Sequence, residues 1–219
     1  MNEDELIKKY GLDIEVLKKE QTKLAKGINV KDAMDFSFAS TFGAVESMLI
    51  NNQIISVIII CDRAGEISEQ QYFLDKLRFP YLNEFRSFRE LPSVIGAFNK
   101  LSNKPDVVFI RGHGITHPRL GIASHFSLLT NIPAIGIAES LFDCDKVDKL
   151  NIVRDGKIVG KAFQSKQGSN PLFISSGNNI SLETSYNFVK EFIKPPHKLP
   201  EPLYLAHRYA RDVREELRI

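Results

Sequence analysis

The chain has 219 residues, of which 43% are hydrophobic and 26% charged, and a formal net charge of +2. That length is enough to bury one substantial core, and the balance excludes a disordered, collagen-like or disulfide-scaffolded protein. The longest apolar run, Val57 to Ile60 with Ile54 and Ile55 nearby, is far too short to span a bilayer. The opening MNEDELIKKY has no apolar stretch, so no signal peptide is expected. Cys61 and Cys144 make no framework and are read as free thiols in a reducing cytoplasm. With so small a net charge, any nucleic-acid surface would have to gather its positive charge into a patch.

In chain order, Asp13 is a candidate N-cap for a helix whose Ile14, Leu17, Gln21 and Leu24 share one face and which Gly27 ends. Residues 30–38, VKDAMDFSF, alternate and are expected to form a strand. Residues 43–50 and 53–61 read as a hairpin turning at Asn51-Asn52, with a further strand over 66–74. Residues 85–102 carry a helical stripe of Phe88, Leu91, Ile95, Phe98 and Leu101. Then come strand 106–110, helix 119–130 and strand 133–138, whose short connections predict a parallel βαβ unit. Asp155-Gly156 marks a second hairpin, 171–174 another strand, and 181–193 and 201–218 two closing helices. The expectation is an α/β fold, one domain over 1–219 with a mixed central sheet flanked by helices.

Metal-dependent phosphodiester cleavage needs several oxygen ligands, brought from distant points of the chain on rigid elements. Candidates are therefore acids on apolar strands or on helices facing the sheet. Asp35, between Met34 and Phe36 of the expected strand, is the first, because a carboxylate there is costly unless paired or metal-bound. Its plain alternative is a strand-edge aspartate facing water. Glu90, in FRSFREL, is the second, although an acid early in a helix also complements the helix dipole.

Residues 111–126, RGHGITHPRLGIASHF, resemble endonuclease V and its DGHGxxHPR signature. MDFSF around Asp35 is similar to that family's first-strand aspartate segment, and PYLNEFRSFRE, 80–90, to its wedge loop and catalytic glutamate. NPLFISSG at 170–177 and LPEPLYLAH at 199–207 are similar to two later segments, so the likeness runs in order from about residue 30 to 218. The resemblance implies a ribonuclease H-like fold and cleavage of DNA or RNA 3′ to deaminated adenine with Mg²⁺ or Mn²⁺. It implies Asp35 and Glu90 as metal ligands and His207 as the group supplied by the last helix. Tyr81 would be the wedge aromatic, His113 and His117 parts of the signature loop, and Arg119 a phosphate contact. Arg89 beside Tyr81, with Arg78 and Arg86, supplies the cations that accompany stacking on a strand.

Four positions depart from the family pattern. Arg111 stands where the family keeps an aspartate, and Glu139 where it keeps a lysine. The wedge reads PYLNE rather than PYIPG, and Gly177-Asn178-Asn179 replaces GHR. The first two are expected to pair with reversed polarity. A guanidinium cannot ligate a cation, and a like charge about 4 Å away costs about 4 kcal/mol per unit charge at an effective dielectric of 20. Arg111 therefore joins Asp35, Glu90 and His207 in the candidate catalytic set. Two readings follow. The first is a nucleic-acid-binding protein with little or no hydrolysis. The second is an active nuclease using Mg²⁺ or Mn²⁺, with Arg111 stabilising phosphoryl charge. A protein-interaction module without nucleic-acid contact is the third, from another class. A cytoplasmic monomer with no membrane partner is expected.

Other features are read as structural. His125 is a helix or core histidine, Ser124 and Ser176 have no nucleophile-elbow context, and acidic neighbours disfavour a reactive Cys144. Arg208, Arg211, Arg214 and Arg218 are spaced along the last helix as a solvated basic face rather than a phosphate track.

Overall fold

The computed structural model describes residues 3–142 and 146–217. Helices α1 (Glu3–Tyr10) and α2 (Ile14–Ala25) precede strands β1 (Phe42–Ile50), β2 (Gln53–Cys61) and β3 (Ile67–Lys76). Helix α3 (Arg86–Asn99), strand β4 (Val107–Arg111), helix α4 (Ile122–Thr130) and strand β5 (Ala134–Ala138) follow. The chain continues through β6 (Lys146–Asp148), β7 (Asn151–Arg154), β8 (Lys157–Phe163), β9 (Leu172–Asn178), α5 (Leu182–Glu191) and α6 (Glu201–Glu216). All nine strands form one sheet in the order β3-β2-β1-β4-β5-β9-β8-β7-β6. The β1–β4 and β4–β5 pairs are parallel, and the remaining pairs antiparallel.

The local signals act where expected. The Asp13 carboxylate accepts from the Val16 N–H at 3.0 Å and starts α2. Asn51 turns the β1–β2 hairpin with φ of 51°, and Asp155 and Gly156 turn β7 into β8 with φ of 50° and 72°, the positive values a two-residue hairpin requires. Helix α1 and the short strand β6 are additions to the expected elements.

Residues 30–38 are a correction, because they form no strand. A single 3-10 turn spans Phe36–Phe38, capped by Asp35, whose carboxylate accepts from the Ser37 N–H at 3.0 Å. Asp32 meanwhile accepts from the Ser181 N–H at 2.6 Å and the Thr184 hydroxyl at 2.8 Å at the start of α5. Short polar side chains thus hold the backbone through local and capping bonds that compete with a strand ladder. The first strand begins at Phe42.

Strand alternation divides the core into two layers. Phe42, Ala44, Phe109, Ile135 and Ile137 face α5 and α6, meeting Phe188, Phe192, Leu203, Ala206 and Ala210. Val45, Val108, Ile110 and Ala134 face the other way, against Leu91, Val94 and Phe98 of α3 and Ile122 and Phe126 of α4. The register Val45↔Ile110 and Arg111↔Ile137 brings the ends of β1, β4 and β5 together. Continuing the alternation carries Glu46, Arg111 and Glu139 to the α6 side of the sheet.

Candidate nucleic-acid cleft and its charged floor

At those strand ends opens a cleft of about 380 Å³, lined among others by Glu46, Tyr81, Glu84, Arg86, Glu90, Arg111, His113, His117 and Glu139. Its floor is a chain of opposite charges. The Arg111 guanidinium donates to the Glu139 carboxylate through Nη2, and through Nε at 3.2 Å, while its Nη1 lies 3.5 Å from Glu46 Oε1. Lys198, from the α5–α6 connection, donates to the other Glu139 oxygen at 2.7 Å. Arg86 grips Glu90 with two bonds of 2.6 and 3.0 Å along α3. The expected reversed-polarity pair of Arg111 and Glu139 is therefore formed. Glu139 is held below the usual carboxylate range despite some burial, by hydrogen bonds and charge from Lys198 and Arg111.

Glu46 is the functional candidate that the sequence reasoning missed. It is only 7% exposed, on β1, and His207 Nδ1 of α6 lies 3.8 Å from its Oε1. Burial pushes its carboxyl pKa up, against the opposing pull of Arg111 and His207. The criterion already applied, an acid on an otherwise apolar strand, singles it out within FGAVESMLI.

A divalent cation needs carboxylate oxygens that are free of competing cations. Two atoms here lack hydrogen-bond partners as ligand atoms would, Glu46 Oε2 and His207 Nδ1. Against them stand Arg111 beside Glu46 and Arg86 clamped on Glu90. Among the described residues, no group of three histidine, cysteine or acidic side chains is arranged to hold a metal ion. Arg111 and Arg86 are thus positioned to compete with Mg²⁺ or Mn²⁺ for the Glu46 and Glu90 carboxylates.

The wall of the cleft is the signature loop, laid on β9. Gly112 donates to Ile137 O at 2.8 Å, Gly114 to Ser175 Oγ at 3.0 Å, and Ile115 to Ser176 O at 2.8 Å. Two of its glycines are required by contact rather than by φ. A Cβ on Gly114 would stand 2.0 Å from Ser176 O, and one on Gly121 would stand 2.1 Å from His113 O. His113 Nδ1 pairs with the Thr116 hydroxyl at 3.0 Å. His117 Nδ1 accepts from the N–H groups of Arg119 and Leu120, both at 3.0 Å, so its proton resides on Nε2, which donates to Glu84 O at 3.1 Å. Burial, reinforced by nearby positive charge, lowers the His113 pKa to about 4, and burial with the neighbouring His113 and Arg119 lowers that of His117 to about 3. Both rings are neutral at pH 7.

The rim carries Tyr81, 62% exposed, with the Arg89 guanidinium 5.5 Å from its ring centre. Arg119 does not reach the cleft. Its guanidinium is ion-paired with Glu84, donates to Gln21 Oε1 at 2.7 Å and lies over the Phe85 ring.

The structure thus gathers Glu90, Arg111, His113, His117 and Tyr81 around one cleft, with Arg89 on Tyr81 and His207 behind Glu46. Asp35 is not among them. It is a correction: exposed, it lines a separate groove with Asp32, Arg63 and Glu191. Ser124 and His125 are buried, and the Ser124 hydroxyl donates to Gly177 O at 2.8 Å. Arg208 and Arg211 are exposed on α6. Cys144 and Arg218 lie outside the described residues. No helix among the described residues is long and apolar enough to cross a membrane.

Comparison with known proteins agrees with this architecture. The family model described as Endonuclease V matches residues 17–208. Endonuclease V of Thermosipho melanesiensis is 35% identical over 201 residues, covering 88% of this chain and 84% of the relative. That of Dictyoglomus turgidum is 35% identical over 200 residues, covering 87% and 86%. The crystal structure of Bacillus subtilis endonuclease V superimposes with a TM-score of 0.84 at 27% identity, covering 94% of each chain. Ciona intestinalis endonuclease V, solved with a 24mer DNA containing an inosine followed by a ribo-adenosine, shares the fold with a TM-score of 0.85 at 24% identity, over 93% of this chain and 98% of that one. The mixed sheet with helices on both faces is thus the ribonuclease H-like fold of these enzymes, and the chain belongs to the endonuclease V family.

Proposed function

We propose that this protein grips DNA or RNA, inosine-containing or otherwise distorted, in the cleft between Tyr81 and the signature loop, and hydrolyses it weakly or not at all. The observation that carries this reading is the Arg111 guanidinium fixed between Glu46 and Glu139 on the cleft floor. A cation entering there meets a like charge worth about 4 kcal/mol per unit charge at 4 Å and an effective dielectric of 20, before any coordination is lost. The recognition side is supported by family membership and by the exposed Tyr81 with Arg89, an aromatic and a cation placed as single-strand binding uses them. In this reading the first-strand acid is Glu46 rather than Asp35, Glu90 is its companion, and the protein acts in the cytoplasm as a monomer.

A second reading keeps one Mg²⁺ or Mn²⁺ ion on Glu46, Glu90 and His207. The unpartnered Glu46 Oε2 and His207 Nδ1 favour it.

The deciding experiment is a cleavage assay on inosine-containing DNA and RNA with Mg²⁺ and Mn²⁺. It compares wild type with the double substitution Arg111→Asp plus Glu139→Lys. The first reading expects binding without cleavage in wild type and metal-dependent cleavage in the double variant. Robust wild-type cleavage that disappears in Glu46→Ala would replace it with the second.

A further inference from the structure

Helix α2 has one buried residue, and it is polar: Gln21. Its amide makes two bonds of fixed direction. Nε2 donates to the Glu84 carbonyl at 2.8 Å, and Oε1 accepts from Arg119 Nε at 2.7 Å. His117 Nε2 donates to the same Glu84 carbonyl. The backbone of residue 84 is therefore held from two sides. Its side chain is not held in the same way: the carboxylate is 45% exposed, rests on the Arg119 guanidinium and lines the cleft, whereas Arg119 sits behind it.

We propose that Glu84 occupies an anion subsite, its carboxylate standing in for a strand phosphodiester on Arg119, and that nucleic acid entering the cleft displaces it. The proposal rests on the nucleic-acid reading above and assigns the regulation of that cleft to one side chain. Three features support it. A guanidinium presents the same planar fork to a phosphate as to a carboxylate. The Glu84 carboxylate, nearly half exposed, is readily rehydrated when it leaves, and a phosphate then satisfies the less exposed Arg119 in its place. Arg119 stays preorganised when Glu84 swings away, since Gln21 and the Phe85 ring still fix it. The wedge loop itself need not move, because the bonds from Gln21 and His117 are to the backbone of residue 84 and not to its carboxylate.

The test is binding of full-length protein to an inosine-containing single strand across a salt series, for wild type, E84Q, R119A and the E84Q/R119A pair. E84Q is expected to tighten binding several-fold at low salt and to steepen the log–log salt dependence by about 0.7, the increment for one further phosphate contact on a single strand. That is an added loss of roughly threefold between 50 and 200 mM salt. R119A in the E84Q background should return the wild-type slope. E84S, too short to reach Arg119, should behave as E84Q and guards against an effect peculiar to glutamine. Equal affinity and slope for wild type, E84Q and E84S would overturn the subsite while leaving nucleic-acid binding intact. Absence of salt-dependent binding in all five proteins would remove the nucleic-acid reading, and this one with it.

Discussion

The wall and the floor of the cleft have been treated differently. The wall, residues 112–121, keeps its glycines where a Cβ would strike the Ser176 or His113 carbonyl, and keeps His117 bonded through both ring nitrogens. The floor is held by charge, with Arg111 between Glu46 and Glu139. Both regions hang on the same strand ends, so the backbone tolerates either choice. A loop packed carbonyl-to-Cα has no room for substitution. A charged pair requires only that its partners remain complementary, and complementarity survives inversion.

Four substitutions or conditions would break or sharpen that contrast. The largest effect on stability belongs to the wall. His117→Ala removes three hydrogen bonds and leaves two N–H groups seeking partners, while the Glu84 carbonyl keeps its bond from Gln21, a loss of about 3 kcal/mol. Calorimetry should show a Tm lowered by roughly 6–12 °C; an unchanged Tm would mean that the loop does not depend on the ring. On the floor, Arg111→Ala leaves the buried Glu46 without its cation. A loss of about 1–2 kcal/mol is expected, because Arg111 itself is partly exposed. Urea denaturation should find much of that loss restored by adding Glu46→Gln, and no restoration would place the strain elsewhere.

The pH profile separates the regions further. His113 and His117 have folded pKa values near 4 and 3, below the ordinary 6.5, so the unfolded chain binds more protons below pH 6.5. Their contribution to stability is complete above about pH 6.5 and is lost as pH falls toward the folded values. His113→Asn should flatten this slope between pH 7 and 5. A wild-type profile already flat in that window contradicts the buried, neutral assignment. Smallest for stability is Tyr81→Ala on the exposed rim, expected within about 0.5 kcal/mol of wild type. Its effect should appear in binding instead, as a loss of about 1–3 kcal/mol for one stacked base in a strand-binding titration.

Much of this molecule is legible in the sequence because the signals are local. Asp13 caps α2, Asn51 and Asp155-Gly156 turn their hairpins, and the βαβ rhythm from 106 to 138 gives the parallel strands that end at the cleft. The signature identifies the wall, and two reversed charges identify Arg111 and Glu139 as partners. Asp35 is misplaced because VKDAMDFSF satisfies strand alternation while its aspartates bond to backbone instead. Glu46 sits within the correctly expected strand 43–50, yet its importance depends on α6 bringing His207 and β4 bringing Arg111, contacts 161 and 65 positions away in the chain. Glu84 on Arg119 with Gln21 beneath is hidden for the same reason, since no spacing rule relates residues 21, 84 and 119.

The Arg111–Glu139 pair also constrains substitution on the floor. Changing Arg111 alone to aspartate would set three carboxylates, at 46, 111 and 139, side by side on adjoining strands. Changing Glu139 alone to lysine would press a third cation against Arg111 and Lys198. Either single step brings like charges into contact on the cleft floor, which is unfavourable. Arg111 and Glu139 are thus coupled: a sign change at one calls for a sign change at the other.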